Sequence, residues 1–429
     1  MKTVAYHNLG CKVNSYEMDA MLQALQAQGY QLVPFEDKAD IYIVNTCTVT
    51  NIADRKSRQM LHRAKKTNPE GIVVAVGCYV QSDTQTLEAD SAVDLLIGNN
   101  KKKDLVKILE AYMEGTAQES VIDLSHTAEY EEMQITSTAE HTRAYIKIQD
   151  GCSQFCTYCM IPYARGRVRC RKKESVLEEI QGLAAAGYKE FVLTGIHISS
   201  YGMEELLSLV QAIDSIEGVE RIRLGSLEPR IVTEDFARGL SAIAHLCPHF
   251  HLSLQSGCDS VLKRMNRHYT AEEYARGVLL LRRFFGNPAV TTDVIVGFPG
   301  ETEQEFEITR KFVEDIGFYE MHIFKYSKRR GTRAAVMPAQ VPEEVKTHRS
   351  NVLQAIELRA SKAYRASYIG RNAEVLFEEK KYIHEKEYWL GHTREYVKVA
   401  CRGQDQMLEN QLVTGKISAF LQDDILLMD

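Results

Sequence analysis

Cys152-Ser153-Gln154-Phe155-Cys156-Thr157-Tyr158-Cys159 is the stretch on which the reading of this chain turns. It places three cysteines at C-x3-C-x2-C spacing, directly after a β-rich run at 144–148. Three thiolates this close together can wrap one metal core, but closed structural zinc and iron–sulfur sites take four ligands. An iron–sulfur cluster held by three thiolates keeps one iron open for a small molecule. Zinc would need a fourth ligand. The nearest cysteine, Cys170, lies eleven residues on, which is not a usual zinc spacing. Three inert core cysteines, behaving as small hydrophobes, are the remaining alternative.

Downstream of the triplet, strand-like and helix-like patterns alternate. Candidate strands lie at 144–148, 191–194, 221–224, 251–254, 292–296 and 322–326, with helical patterns between them, including 173–186 and 271–285. An eight-unit βα barrel takes about 250 residues, so six units should take about 190. The stretch from 144 to 330 fits a partial (βα)6 barrel, closed by a long helical pattern at 342–364. With the triplet at its first strand, and Tyr158 before the last cysteine, this stretch resembles the radical-SAM superfamily. That resemblance implies a [4Fe–4S] cluster on Cys152, Cys156 and Cys159, whose open iron chelates S-adenosyl-L-methionine (SAM). It also points to Tyr158 and to three strand ends as SAM-binding candidates: Gly195 in Thr194-Gly195, Glu228 in Leu224-Gly-Ser-Leu-Glu228-Pro229, and Gln255 in Gln255-Ser-Gly257. A further strand end carries Asp293-Val-Ile-Val-Gly297-Phe-Pro-Gly300-Glu301. Barrel active sites assemble at these ends.

Upstream, residues 1–122 also alternate strand and helix, with strands at 3–7, 41–45 and 72–76, which argues for a parallel α/β sheet. Met18, Met21, Leu22 and Leu25 recur at helical spacing; Asn14 is the candidate cap, with Glu17 completing a capping box. One cysteine follows each strand: Cys11, Cys47 and Cys78. Strand C-terminal ends line the ligand crevice of open α/β sheets. Three cysteines remote in sequence can therefore meet there and hold a second cluster; the alternative is three buried structural cysteines.

Segment 123–142 is polar, acidic and aperiodic and reads as a linker between the first unit and a barrel unit at 143–366. Residues 367–429 show strand patterns at 371–377, 395–399 and 411–419, separated by Gly391, Gly403 and Gly415. They fit a small OB-like β-barrel.

Composition sets the outer limits. At 429 residues, two or three domains are expected, and 45% apolar with 26% charged residues is ordinary for a globular protein. No apolar run is long enough to span a membrane, and the N-terminus reads as a strand, so the cytoplasm is expected. Ten cysteines in that compartment point to metal or redox chemistry. Net charge is −6, so any polyanion contact must come from local patches. Two stand out: Arg55, Lys56, Arg58, Arg63, Lys65 and Lys66; and Arg165, Arg167, Arg169, Arg171, Lys172 and Lys173.

Taken together, Leu9-Gly-Cys-Lys-Val-Asn14, Asn45-Thr-Cys-Thr48, Gly77-Cys78 and Pro162-Tyr-Ala-Arg-Gly166 resemble the methylthiotransferase family over essentially the whole chain. Cys170 departs from the family, which more often has serine there. Membership implies two [4Fe–4S] clusters, the auxiliary one on Cys11, Cys47 and Cys78, and a C-terminal RNA-binding barrel called TRAM. One SAM donates a methyl to sulfur at the auxiliary cluster; another yields the radical that removes hydrogen from carbon. An electron donor such as flavodoxin or ferredoxin and a sulfur source are implied partners, with the anticodon stem-loop of tRNA as substrate. Cys11-Lys12-Val13-Asn14 looks like the branch acting on threonylcarbamoyl-adenosine at C2, as against isopentenyl-adenosine or a ribosomal-protein aspartate. A carboxylate-bearing substrate calls for a cation, with Arg165 and Arg167 as candidates. For RNA, Lys380, Lys381, Lys386, Arg394, Lys398 and Arg402 can meet phosphates and Tyr382, Tyr388, Trp389 and Tyr396 can stack, although the C-terminal unit is net acidic. A non-catalytic iron–sulfur RNA-binding protein is the rival from another class.

Overall fold

Ile41–Thr46 is buried along its whole length, as a central strand of a parallel sheet covered on both faces must be. In the computed structural model, which describes residues 2–116, 119–138, 142–403 and 407–429, it lies in a five-stranded parallel sheet. The order is Gln31–Val33, Thr3–Asn8, Ile41–Thr46, Ile72–Gly77, Leu95–Ile97. The two edge strands are three residues each, too short to leave a pattern in the sequence. The first helix, α1 (Lys12–Ala27), corrects the expected capping box: Cys11, not Asn14, is its N-cap residue. Asn14 is buried in the first turn, donating its amide to the carbonyls of Leu9 at 2.6 Å and Thr46 at 3.1 Å. Glu17 is spent on Lys147 and Lys102. The second helix, α2 (Asn51–Thr67), is capped by the Thr50 side chain, which accepts from Ala53 N.

Six further strands form two three-stranded parallel sheets. One joins Arg221–Leu224, Glu190–Thr194 and Ala144–Lys147; the other joins His249–His251, Ala289–Val296 and Glu320–Lys325. Bridges from Ile222 to Leu246 and from Leu227 to Leu252 link them into an open, six-stranded barrel. The fourth strand sits earlier than the expected 251–254: beyond His251 the chain keeps only single bridges, and Gln255 turns left-handed at φ 66°. The closing helix runs Glu343–Ala366 and pairs Arg365 with Glu320 at 2.8 Å. Segment 123–142 has no regular element among its described residues, but it is not a loose tether. Leu124, Met133 and Ile135 are buried, and Tyr130 donates to the Lys147 carbonyl at 2.8 Å.

The C-terminal strands close into a barrel ordered Asn372–Ile383, Lys386–Thr393, Lys398–Arg402, Ile425–Met428, Leu412–Gln422. Two of the five escaped the sequence reading. Gly391 and Gly415, expected to separate strands, lie inside them. A Cβ at Gly391 would stand 2.2 Å from the Leu376 carbonyl oxygen, so this glycine permits close strand approach where a break was expected. The barrel docks on the open barrel's strand N-terminal ends: Arg221 donates to the His392 carbonyl at 2.8 Å, Arg223 to that of Arg394 at 2.9 Å, and Arg143 meets Glu378 at 3.1 Å. No helix of the described residues is long and apolar enough to cross a membrane.

Candidate active site

The cysteine triplet lies on a loop pinned at both ends. Gln149–Asp150 pairs antiparallel with Arg169–Cys170, and Cys152 N donates to the Gly166 carbonyl at 3.0 Å. A Cβ at Gly151 would sit 1.8 Å from the Arg167 carbonyl oxygen, so only glycine closes this neck. Asn266 donates to the carbonyls of Gln154 and Phe155, and Thr157 N to that of Met265. All three thiols are half-buried. Burial pushes Cys152 up to about 11 and Cys159 up to about 12, so as free thiols they hold their protons. A metal core would displace those protons, and Arg267, whose guanidinium donates to Cys156 Sγ at 3.3 Å, stands ready to meet the thiolate charge.

These cysteines line a cavity of about 300 Å³ at the strand C-terminal ends. Tyr158, Glu228 and Gln255 line it as well. Glu228 is held by Arg230 at 2.9 Å and faces His197 at 3.6 Å. Gln255 keeps its left-handed φ at the wall, a strained conformation for a non-glycine residue and typical of functional sites. Gly195 does not line the cavity; its neighbours Ile196 and His197 do. It lies against Gln149, whose Oε1 would be 2.9 Å from a Cβ. The sequence reading missed Arg267, His197 and Arg329, which line the cavity together with Asp293 of the fifth strand-end motif.

The second cysteine set sits at the C-terminal ends of parallel strands that end at Asn8, Thr46 and Gly77. Cys11 is exposed, Cys47 half-buried and Cys78 buried. They lie close enough for Cys78 to act electrostatically on both Cys11 and Cys47. Gly10 makes that approach possible: a Cβ there would be 2.8 Å from Asn14 Nδ2 and 3.3 Å from Cys47 Cβ. Arg165 donates Nε to Cys78 Sγ at 3.2 Å. Its other nitrogens reach Glu17 at 2.8 Å, Asp150 at 3.1 Å and Asn14 at 2.6 Å. Burial alone would raise the Glu17 carboxyl; Arg165, Lys102 and Lys147 outweigh it and hold it well below the usual range. Arg165 thus ties the triplet loop to the other cysteine set, and it is fully buried. This overturns its reading as a cation for substrate. The dense basic run largely turns inward too: Arg169 and Arg171 are buried in ion pairs with Asp150, Glu132 and Glu179. Arg167 remains exposed, over the Phe155 ring at 4.6 Å.

Neither cysteine set has its three sulfurs within 4.8 Å of one another; among the described residues only His251, Asp293 and His322 bring three such ligand atoms that close. A single tetrahedral zinc needs its thiolates within about 4 Å, given Zn–S bonds of about 2.3 Å.

The two sets meet through Arg329. Its guanidinium binds Asp54 Oδ2 at 2.5 Å, Asn51 Oδ1 at 2.6 Å and Thr48 Oγ1 at 2.7 Å, and Asn51 donates back to the Lys328 carbonyl. The loop after Cys47 is thereby clamped against the barrel, and its Val49 and Thr50 form part of the cavity wall. One cavity therefore has one cysteine triad in its lining and the loop of the other at its rim.

The C-terminal barrel narrows the RNA candidates. Tyr388 and Trp389 are buried, Tyr396 is packed by Arg143, Arg223 and His392, and Arg394 bonds the Ala244 and Leu246 carbonyls. Exposed Lys380, Lys381 and Lys386 and the 78%-exposed Tyr382 gather at a hairpin tip turned by left-handed His384 and Glu385.

Comparison with known proteins places these features in context. Residues 3–98 match the model of the uncharacterized protein family UPF0004, and residues 146–313 that of the radical SAM superfamily. The chain is 41% identical to threonylcarbamoyladenosine tRNA methylthiotransferase MtaB of Bacillus subtilis, over 97% of this chain and 94% of that one. It is 38% identical to the protein of the same name from Aquifex aeolicus, over 90% and 95%. It is 34% identical to tRNA-2-methylthio-N(6)-dimethylallyladenosine synthase of Pelotomaculum thermopropionicum, over 87% and 86%. Among solved structures, the radical S-adenosylmethionine methyltransferase TsrM from Kitasatospora setae, with cobalamin and a [4Fe–4S] cluster bound, superposes with a TM-score of 0.62 at 15% identity, covering 78% of this chain and 77% of that one. At that identity the likeness speaks for the fold.

Proposed function

The chain belongs to the radical-SAM methylthiotransferases, and on that premise we propose that it adds a methylthio group to C2 of N6-threonylcarbamoyladenosine beside the tRNA anticodon. One observation carries the reading: the cavity lined by Cys152, Cys156 and Cys159 is also walled by Val49 and Thr50 of the loop after Cys47, and Arg329 and Arg165 tie the two cysteine sets together. Cys152, Cys156 and Cys159 would hold one [4Fe–4S] cluster, and Cys11, Cys47 and Cys78 the other. When bound, the clusters and SAM supply the radical that removes hydrogen from the adenine and the methylthio group that replaces it.

The chain's own residues supply geometry and charge. Arg267 and Arg165 lie against Cys156 and Cys78 and offset thiolate charge. Tyr158, Glu228 and Gln255 shape the SAM side of the cavity. Arg329 keeps Val49 and Thr50 at its mouth, which excludes water from a reactive site. The hairpin tip at Lys380, Lys381, Tyr382 and Lys386 grips the tRNA backbone, as the unit from 367 onward. A reduced carrier such as flavodoxin or ferredoxin delivers the electron, a separate donor replenishes sulfur, and the reaction runs in the cytoplasm.

Nucleosides from cells with and without this chain test the reading. Mass spectrometry should show 2-methylthio-threonylcarbamoyladenosine lost on deletion, with threonylcarbamoyladenosine accumulating. Loss of the methylthio form of isopentenyladenosine instead would move the chain to the branch whose relatives are named for dimethylallyladenosine.

A further inference from the structure

Deeper in the open barrel than the SAM cavity lies a group of side chains that the functional reading does not use. Three adjacent parallel strands contribute one each: His251 from His249–His251, Asp293 from Ala289–Val296 and His322 from Glu320–Lys325. Side chains two residues apart on a strand share a face. His251 precedes Ser253 by two residues, Asp293 precedes Ile295, and His322 precedes Phe324. Ser253, Ile295 and Phe324 line the cavity, as does Asp293 itself. The three side chains therefore form the layer beneath the cavity wall, on the same inner face.

Parallel pairing brings them together. Asp293 lies opposite His322, and His251 opposite Thr291, two residues before Asp293. His251 Nε2 stands 3.3 Å from Asp293 Oδ2, and the rings of His251 and His322 lie 6.0 Å apart between centroids, inclined at 30°. One donor atom from each of the three falls within 4.8 Å of the other two. Thr291 orients the His251 ring from behind, its Oγ1 lying 3.0 Å from Nδ1. In the tautomer that donates Nδ1–H to that hydroxyl, the Nε2 lone pair faces Asp293, which is how metal-ligating histidines are held. A proton between Nε2 and Asp293 would satisfy that pair alone, whereas a metal ion engages all three side chains.

The donor set selects the class of ion. Two imidazoles and one carboxylate suit zinc or ferrous iron. Bonds of about 2.0–2.2 Å set neighbouring donors of a tetrahedral ion ~3.3 Å apart. His251 and Asp293 already have that separation. We infer that His251, Asp293 and His322 form a mononuclear metal site, separate from both cysteine sets, that takes one divalent transition-metal ion such as zinc. Three protein ligands leave a coordination position for water or for an oxygen donor from the cavity. Asp293, both ligand and cavity wall, sets the ion at the cavity's edge. The site adds to the tRNA reading and does not depend on it.

The test reads metal, not product. Anaerobically reconstituted protein, its cluster cysteines occupied, is dialysed to equilibrium against buffered zinc, then analysed for metal content and by X-ray absorption at the zinc edge. The wild type should bind one zinc per chain beyond its iron. Its shell should hold nitrogen and oxygen at about 2.0–2.1 Å and no sulfur at about 2.3 Å. His322→Ala alters an exposed side chain and should abolish zinc binding while the iron content stays unchanged. Thr291→Val keeps the volume of a buried residue but removes the hydroxyl behind His251, and should weaken zinc binding about 10- to 100-fold. Cys170→Ser should bind zinc as the wild type does. No zinc beyond the iron in the wild type, a shell containing sulfur, or undiminished zinc in His322→Ala overturns the inference; the group is then a histidine–aspartate pair with a neighbouring imidazole. None of these outcomes depends on which tRNA adenosine is modified, so failure of the metal site and failure of the functional reading are read separately.

Discussion

Arg329 binds through its side chain to Thr48 of the loop after Cys47 and to Asn51 and Asp54 in the first turn of α2, far away in sequence. Breaking a buried, charge-assisted pair of this kind costs about 3–5 kcal/mol of local order. Arg329→Ala should therefore lower methylthio product at least about tenfold, while 5′-deoxyadenosine formation at the triplet persists. Equal loss of both products would show that Arg329 serves the SAM cavity alone. The six cysteines give a second residue-scale prediction. Reconstituted protein should hold about eight irons, from two four-iron clusters. Changing Cys152, Cys156 and Cys159 together to alanine should remove half the iron and all SAM cleavage. Changing Cys11, Cys47 and Cys78 should remove the other half and the product, leaving abortive cleavage. The cysteines were legible in the sequence because metal chemistry demands that residue type at those strand ends. Arg165, Arg267 and Arg329 were not. Arginine is an ordinary surface residue, and the partners that make these three special are distant in the chain. The dense basic run misled for the same reason, since its charge answers carboxylates contributed by other elements.

Among the elements, helices and central strands were readable and edges were not. The helix pattern at 271–285 matches the observed Ala271–Phe285, where Thr270 and Glu273 complete a capping box, because an amphipathic face and a cap both leave local signals. Gln31–Val33 and Leu95–Ile97 leave none; they are strands only because a neighbour pairs with them. In the C-terminal barrel the long first strand continues to Ile383 through a bulge after Phe377, and its outer half is polar, so alternation fails there. That outer half is where function is expected. Replacing Lys380, Lys381 and Lys386 by alanine should weaken tRNA binding and flatten the slope of log affinity against log salt by about 2, if each lysine releases counterions from one phosphate. An unchanged slope would shift RNA contact to α2, where Arg55, Lys56 and Lys66 are exposed.

At the scale of the whole molecule, the N-terminal sheet, the open barrel and the C-terminal barrel are interlocked. Arg221, Arg223 and Arg143 of the open barrel find partners in the C-terminal barrel, and Arg165 and Arg329 join the N-terminal sheet to the triplet and the cavity. Deleting residues 367–429 would strand buried arginines, so substitutions at the hairpin tip report RNA contact more cleanly than truncation. The same interlocking explains why the segment at 123–142 looked like a linker: three apolar anchors in a polar stretch do not form a pattern, yet they fasten it. The central claim is that the two cysteine triads, one lining the cavity and the other tied to its rim by the loop after Cys47, methylthiolate a specific tRNA adenosine. Its most direct test offers the reconstituted protein, with SAM, reductant and sulfide, two purified tRNAs: one bearing threonylcarbamoyladenosine, the other isopentenyladenosine. Mass spectrometry of the nucleosides should find the 2-methylthio form of the first and none of the second; methylthiolation of the isopentenyl substrate in preference, or of neither, would contradict the account.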